Sequence, residues 1–184
     1  MKQIKPLPPI DLLASWFEIK GSDLVWKQSS AQKLIGKRAG YRRPDGYIEL
    51  RKGDHKMLAH RVAYALANNA DPGNYFVDHI DGNPSNNSPS NLRTATSSQN
   101  LQNCRRLSRH NKSGKRGVRF VIIGGIEYWK AEFYVDGKLY SIGAYATKEA
   151  AIAAREVAEK FAYGKFSPLA TLPAQGLFPL ATGA

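Results

Sequence analysis

The sequence predicts an α+β fold in which short β-hairpins and helices follow one another along the chain. Residues 128–135 alternate between apolar and polar side chains, which is the period of a strand with one buried face. Asp136-Gly137 comes directly afterwards and favours a tight hairpin turn. Earlier in the chain, the apolar run 76–80 is separated from residues 92–95 by a loop rich in Asp, Asn, Gly, Pro and Ser, which predicts a second hairpin.

The N-terminal part predicts a Pro-rich arm over residues 1–10 and a short amphipathic helix over residues 11–20. The inward residues of this helix would be Leu12, Leu13, Trp16 and Phe17. Asp45-Gly46 is a turn signal before an alternating strand at 47–50, and a return strand follows at 56–59. A helix is predicted over residues 60–69, because Asn68, Asn69 and the Asp71-Pro72-Gly73 turn end it.

The central and C-terminal parts predict two further helices. Thr96, with Gln99 three positions on, forms a capping-box pattern for a helix over 96–106. Three strands over 117–122, 128–135 and 138–145 precede a helix over 147–163 that Thr147 can cap. The strand side chains predicted to be buried under this helix are Trp129, Ala131, Phe133 and Val135, and the predicted apolar stripe of the helix is Ala150, Ala154, Val157, Ala158 and Phe161.

These elements predict five segments of chain. They are an N-terminal arm with a short helix (1–22), a domain with its β lead-in (23–107), a basic linker (108–115), a second domain of sheet and helix (116–166) and a tail (167–184).

Net charge narrows the class of partner. The 184 residues include 27 Lys and Arg against 15 Asp and Glu, a net charge of +12, which favours a polyanion such as nucleic acid or an anionic membrane surface. Residues 59–104 carry a charge of −1, and the flanking segments 1–58 and 105–120 carry +6 and +7. The sequence has no apolar run of membrane-spanning length, its N-terminus lacks the apolar region of a signal peptide, and Cys104 is its only cysteine. We therefore expect a cytoplasmic protein without a disulfide or a cysteine-rich structural zinc site.

A candidate catalytic constellation lies in the near-neutral central block. Asp78-His79 precedes the polar loop, Asn91 follows His79 by twelve positions, and Asn100 follows it by twenty-one. Asp78 offers a hard oxygen suited to Mg²⁺, a helix-borne Asn offers a weaker second ligand, and His79 is a plausible general base with Asn91 orienting its ring. The alternative is a surface His–Asp pair in an ordinary Asx-rich loop.

A longer motif string surrounds these residues. It consists of His60-Arg61-Val62-Ala63, residues 77–83, Asn86-Asn87, residues 91–96, and Gln99-Asn100 with Asn103. It resembles the HNH (ββα-metal) endonucleases of the phage and homing type. The resemblance implies that His79 is the general base, that Asp78 and Asn100 hold one divalent metal ion, and that Asn91 orients the histidine. Asn103 and His110 remain alternatives to Asn100, and His60 at a helix start is interpreted as structural.

A second motif string lies in the C-terminal part of the chain. It consists of residues 115–119, 129–133, 136–138, Ile142-Gly143 and 147–151. It is similar to the DNA-binding domain of the plant ethylene-response factors (the apetala type), in which the sheet contacts the DNA major groove. The resemblance and the strand period imply DNA-contacting residues on the open face and basic connector: Arg116, Arg119, Lys130, Glu132, Tyr134, Lys138, Arg105 and Arg106. A plain solvent-facing sheet surface is the alternative.

The sequence thus predicts a DNA endonuclease that uses one divalent metal ion, Mg²⁺ or Mn²⁺, and acts on double-stranded DNA as a monomer. A DNA-binding regulator with a catalytically silent HNH module is the competing hypothesis. RNA or a membrane surface as the partner has only the net charge to support it.

Overall fold

The computed structural model describes residues 4–104 and 107–167. The chain forms two compact units, Met1–Ser97 and Ser98–Ala184. Each unit combines short antiparallel strands with helices, so the predicted α+β fold class is confirmed. The predicted limits of the five segments remain predictions. Arg105, Arg106 and the tail after residue 167 lie outside the described residues.

The first unit begins with a helix that passes directly into a hairpin. These elements are α1 (Ile10–Trp16), β1 (Phe17–Lys20) and β2 (Asp23–Trp26). The prediction of one helix over 11–20 is therefore wrong in its second half. Residues 17–20 alternate between apolar and charged side chains, and Gly21, at a φ of +61°, lets the chain reverse so that Phe17 pairs with Trp26. Leu12, predicted to face inward, is 38% exposed.

The rest of the first unit follows the predicted order closely. Its elements are β3 (Tyr41–Arg42), β4 (Ile48–Lys52), β5 (His55–Leu58), α2 (Ala59–Asn68), β6 (Phe76–His79) and β7 (Leu92–Ala95). Strands β3, β4 and β5 form one antiparallel sheet, and β6 and β7 form a separate hairpin. Asn69 ends α2 in the left-handed conformation, and its N–H donates to the carbonyl of Ala65.

One apolar cluster joins these elements. It includes Leu13, Phe17, Leu24, Trp26, Ile48, Leu50, Met57, Val62, Val77 and Leu92. Because Val77 and Leu92 belong to the β6–β7 hairpin, this core fixes the hairpin against the rest of the unit.

The second unit contains most of a short helix and a sheet covered by a long helix. Its elements are α3 (Ser97–Gln102), β8 (Val118–Ile123), β9 (Ile126–Val135), β10 (Lys138–Tyr145) and α4 (Lys148–Tyr163). The strand order is β10-β9-β8, and Val118, Ala131 and Ala151 form the core between sheet and α4. Asp136 and Gly137 both have positive φ, as the hairpin turn requires, so the predicted sheet packed on one helix is confirmed.

Two predictions in this unit need correction. Helix α3 ends at Gln102, short of the predicted residue 106. The stripe predicted for α4 is rotated, because Phe161 is 81% exposed whereas Arg155 and Glu159 are buried and form an ion pair of 2.9 Å. A hydrophobic stripe cannot anticipate a buried ion pair of this kind.

Within residues 4–104 and 107–167, no helix has the length and apolar character needed to cross a bilayer.

Candidate active site

The β6–β7 hairpin carries the two adjacent residues on which the catalytic prediction rests. Across the hairpin, Asp78 is paired with Arg93 and His79 with Leu92. Asp78 is 6% exposed and His79 is 4% exposed. Since consecutive strand residues point to opposite faces, each of the two side chains has its own set of partners.

Asp78 forms a buried ion pair with Arg93. The Nε and Nη2 groups of Arg93 donate to Oδ2 of Asp78 at 2.9 and 2.7 Å. The two side chains are 7% and 14% exposed, respectively. Arg93 was not predicted to have a separate role, although the cross-strand register that brings it to Asp78 follows from the hairpin itself.

Asn87 is the hydrogen-bond acceptor at the His79 ring. Its Oδ1 lies 3.1 Å from Nε2 of His79, and both side chains are buried. Because an amide oxygen only accepts, Nε2 carries the proton in this arrangement and Nδ1 carries the lone pair. Burial lowers the pKa of His79, although the bond to Asn87 and the carboxylates of Asp81 and Asp78 oppose this. A lowered pKa leaves the ring neutral at pH 7, as a general base must be.

Two aromatic rings surround His79. The ring centroids of His60, in α2, and Tyr47, just before β4, lie 5.1 and 5.9 Å from that of His79. Burial lowers the pKa of His60 to about 3, and the electrostatic interactions with His79 and Arg61 act in the same direction. His60 is therefore a neutral packing partner of His79. Tyr47 was missed as a neighbour of the site, although the Asp45-Gly46 turn that presents it was recognised.

Asn91 holds the polar loop and does not supply the acceptor at Nε2 of His79. Its Nδ2 donates to Oδ1 of Asp81 at 3.0 Å and to the carbonyl of Asn86 at 2.9 Å, and its Oδ1 accepts from the N–H of Asp81 at 3.0 Å. The predicted acceptor was Asn91, and the structure assigns that contact to Asn87. The spacing could not distinguish them, because the loop contains several Asn residues and its path depends on these side-chain bonds.

The predicted third-motif residues lie in the second unit. Asn100 is half-buried in α3, and Asn103 is buried just after that helix. The N–H of Asn103 donates to the carbonyl of Gln99 at 3.2 Å. The choice between Asn100 and Asn103 as a metal ligand remains a prediction. His110, the other alternative, is exposed and accepts a hydrogen bond from Nε of Arg109 at 2.9 Å.

The donor chemistry of the predicted site fits a hard divalent cation. Among the described residues, no group of three or more His, Cys, Asp or Glu side chains could hold a metal ion. A site made of the Asp78 carboxylate and one Asn amide oxygen is of a different kind, because most ligands would come from water and phosphate. Such an oxygen-only set with few protein ligands is typical of Mg²⁺.

The outer face of the β8–β9–β10 sheet carries part of the predicted DNA-contacting set. Arg119 donates to Oε1 of Glu132 at 2.9 Å, and Lys130 lies 3.4 Å from Oε2 of the same carboxylate. The bond to Arg119 lowers the pKa of Glu132, burial opposes it, and the nearby Lys130 lowers it further. Tyr134 is 59% exposed.

Two other residues of that set lie elsewhere. Arg116 precedes β8, and its Nη1 donates to the carbonyls of Leu101 and Cys104 at 3.0 and 2.7 Å. These carbonyls lie at the C-terminal end of α3, where cations are favoured. Lys138 pairs with Val135, whose side chain alternates with those of Glu132 and Tyr134 along β9 and therefore lies on the other face of the sheet.

Comparison with known proteins identifies the central segment. The family model described as HNH endonuclease matches residues 57–102, so the chain contains an HNH endonuclease domain there. This segment includes α2, the β6–β7 hairpin and α3.

Two viral relatives are similar to this chain. One, named an uncharacterized HNH endonuclease (L560) of Acanthamoeba polyphaga mimivirus, is 34% identical over 61% of this chain and 56% of its own length. The other, Protein 3.8 of Escherichia phage T7, is 33% identical over 45% of this chain and 65% of its own length. The chain thus spans less than two thirds of either relative. No solved structure matches it.

Proposed function

We propose that this protein is a divalent-metal-dependent endonuclease that hydrolyses phosphodiester bonds in duplex DNA. The observation that carries the proposal is the buried His79 ring, held through Nε2 by Asn87, within the segment that the HNH family model matches. A buried imidazole with a fixed tautomer and a lone pair at Nδ1 is suited to accept a proton from water.

In the proposed reaction, Nδ1 of His79 removes a proton from the attacking water. Asn87 holds the ring in the required tautomer, and Asn91 supports it indirectly by bonding to the carbonyl of Asn86 in the same loop. Asp78, oriented by Arg93, and Asn100 would hold one ion, Mg²⁺ or Mn²⁺. That ion, when bound, supplies charge stabilisation at the scissile phosphate and the leaving 3′ oxygen.

We further propose that the outer sheet face of the second unit positions the duplex. Arg119 is 56% exposed and Lys130 is 30% exposed, so both heads remain accessible although Glu132 holds them. Arg and Lys in such places contact phosphates and base edges. Arg105, Arg106, Arg116 and Lys138 stay in the proposed set. The proposal also includes binding to duplex DNA as a monomer and no structural zinc.

A plasmid nicking assay tests the proposal. Supercoiled DNA should be nicked or linearised in Mg²⁺ and remain intact in EDTA, because the hydrolysis needs the divalent ion. Binding to the same DNA should occur in both conditions. Binding without cleavage in Mg²⁺ or Mn²⁺ would instead support a DNA-binding regulator with a silent HNH module.

A further inference from the structure

The outer face of the β3–β4–β5 sheet carries a charged cluster that the proposed reaction does not use. The Glu49 cluster consists of Glu49 and the four side chains around its carboxylate: Tyr41, Arg43, Arg51 and Lys56. Oε1 of Glu49 accepts hydrogen bonds from Tyr41 and from Nε of Arg51, each at 2.9 Å. Oε2 lies 3.2 Å from the ammonium of Lys56 and 3.8 Å from the guanidinium of Arg43.

The carboxylate at the centre of the cluster is buried and ionised. The side chain of Glu49 is 2% exposed. Burial alone would raise its pKa, but the bonds from Tyr41, Arg51 and Lys56 together outweigh burial and lower the pKa to about 2. Glu49 therefore stays charged at every physiological pH and holds its cationic neighbours in place.

The cationic heads of the cluster remain open to solvent. The side chains of Arg51 and Lys56 are 62% and 60% exposed, and the guanidinium of Arg51 lies over the Tyr41 ring at 5.7 Å. They point away from the core, because Leu50 and Met57, the next positions along the two strands, are buried in it.

The single charge of Glu49 does not neutralise both exposed cations. Arg51 and Lys56 lie directly opposite each other on paired strands, where like charges are destabilising. Arg51 and Lys56 share the carboxylate of Glu49. Arg43, the third cation of the cluster, also pairs with Asp45 at 2.8 Å. The result is a positive surface whose side chains are already ordered, so binding an anion there costs less conformational entropy than binding it to free side chains.

We propose that the Glu49 cluster binds the phosphate backbone of duplex DNA, with Arg51 and Lys56 making the contacts. A guanidinium and an ammonium side by side suit neighbouring phosphate oxygens, and the contact carries no sequence information. The inference rests on the proposed function insofar as the polyanion is duplex DNA. It adds a backbone-binding surface in the first unit to the sheet face already proposed for the second.

The salt dependence of DNA binding tests this assignment. Each phosphate contact contributes about 0.9 to the slope of log K against log salt concentration, so Arg51→Gln with Lys56→Gln should make the slope shallower by roughly 1–2 and weaken binding about tenfold. The matched control is Lys20→Gln with Lys160→Gln, which removes the same charge from exposed positions outside the cluster. Binding is measured by fluorescence anisotropy on a short duplex in EDTA, so the result does not depend on cleavage.

The outcomes separate the two proposals. If the salt slope of the double variant equals that of the control, the Glu49 cluster is not a DNA-binding surface. Nicking by the wild type in Mg²⁺ would still support the proposed endonuclease function in that case. If the double variant unfolds, Lys56→Gln alone keeps the bond between Arg51 and Glu49 and should reduce the slope by about 1. Salt-independent binding by the wild type would overturn the inference as well.

Discussion

The Asp78–Arg93 pair of the first unit and the Glu132–Arg119 pair of the second unit differ in burial. In the β6–β7 hairpin, Asp78 and Arg93 are 7% and 14% exposed. On the sheet of the second unit, Glu132 is 14% exposed but its partner Arg119 is 56% exposed. The N–O distances are similar, 2.7 and 2.9 Å.

The difference in burial gives the two pairs different roles: the buried pair orients a carboxylate, and the exposed pair leaves a guanidinium available for binding. A buried pair fixes a carboxylate in direction, and loss of one partner leaves an uncompensated charge in the interior. A pair with an exposed arginine contributes little to stability and leaves the guanidinium accessible to another anion. We therefore expect the hairpin pair to serve the chemistry and the sheet pair to serve contact with DNA.

The largest expected effect is on the buried pair. Asp78→Ala should lower the free energy of unfolding by about 3–5 kcal/mol, because Arg93 loses its partner in the interior. It should also abolish nicking, since a proposed metal ligand is removed. Urea unfolding and the plasmid assay measure the two effects.

The exposed pair provides the control. Glu132→Ala should cost less than about 1 kcal/mol, because its partner stays hydrated. Equal losses of stability in Asp78→Ala and Glu132→Ala would contradict the distinction between the pairs.

Asn87→Ala should slow cleavage by roughly 10–100-fold, as expected when a partner that orients a catalytic group is lost. DNA affinity should change little, because Asn87 is buried and contacts the His79 ring. Ser90→Ala, an exposed change in the same loop, is the control. Unchanged single-turnover rates in Asn87→Ala would show that the ring needs no such partner.

On the sheet face, Arg119→Gln with Lys130→Gln should weaken duplex binding about tenfold and reduce the salt slope by about 1–2. The rate at saturating DNA should stay near that of the wild type. A large loss of that rate with unchanged affinity would place these residues in the chemistry instead.

A further expected effect concerns pH. The pKa of His60 falls from 6.5 in the unfolded chain to about 3 in the fold, so its contribution to stability is complete above pH 6.5 and declines as the pH falls towards 3. Between pH 6.5 and 5.5 this should cost the wild type about 1 kcal/mol. His60→Phe removes the group, although Arg61 and the ring of His79 remain beside it, and should flatten that part of the profile. Urea unfolding of both proteins at several pH values measures this. The same dependence of the unfolding free energy on pH in wild type and His60→Phe would contradict the prediction.

Local patterns predicted much of the fold. The alternation at 128–135, the Asp136-Gly137 turn and the Asx-rich loop between 76–79 and 92–95 each depend on residues close in sequence. Such signals remain visible without knowledge of the tertiary structure.

Interactions between distant residues were harder to predict. Helix α4 buries Arg155 and Glu159, and Lys115 also lies 2.9 Å from the Glu159 carboxylate. Hydrophobic periodicity contains no information about such ion pairs. Asp78 and His79 were recognised as a pair, but Asn87 and Tyr47 reach the ring only through the folded path of a loop and a turn. Segment 17–20 is a strand because it pairs with β2, a contact that the local pattern of these four residues does not contain.

The central claim is that His79 is the base in metal-dependent cleavage of DNA. The most direct measurement compares wild type and His79→Ala in a Mg²⁺-dependent plasmid nicking assay, at protein concentrations that give equal DNA binding. We expect the variant to bind DNA within a few-fold of the wild type and not to nick it. Metal-dependent nicking by a clean preparation of His79→Ala at a rate near that of the wild type would contradict the account.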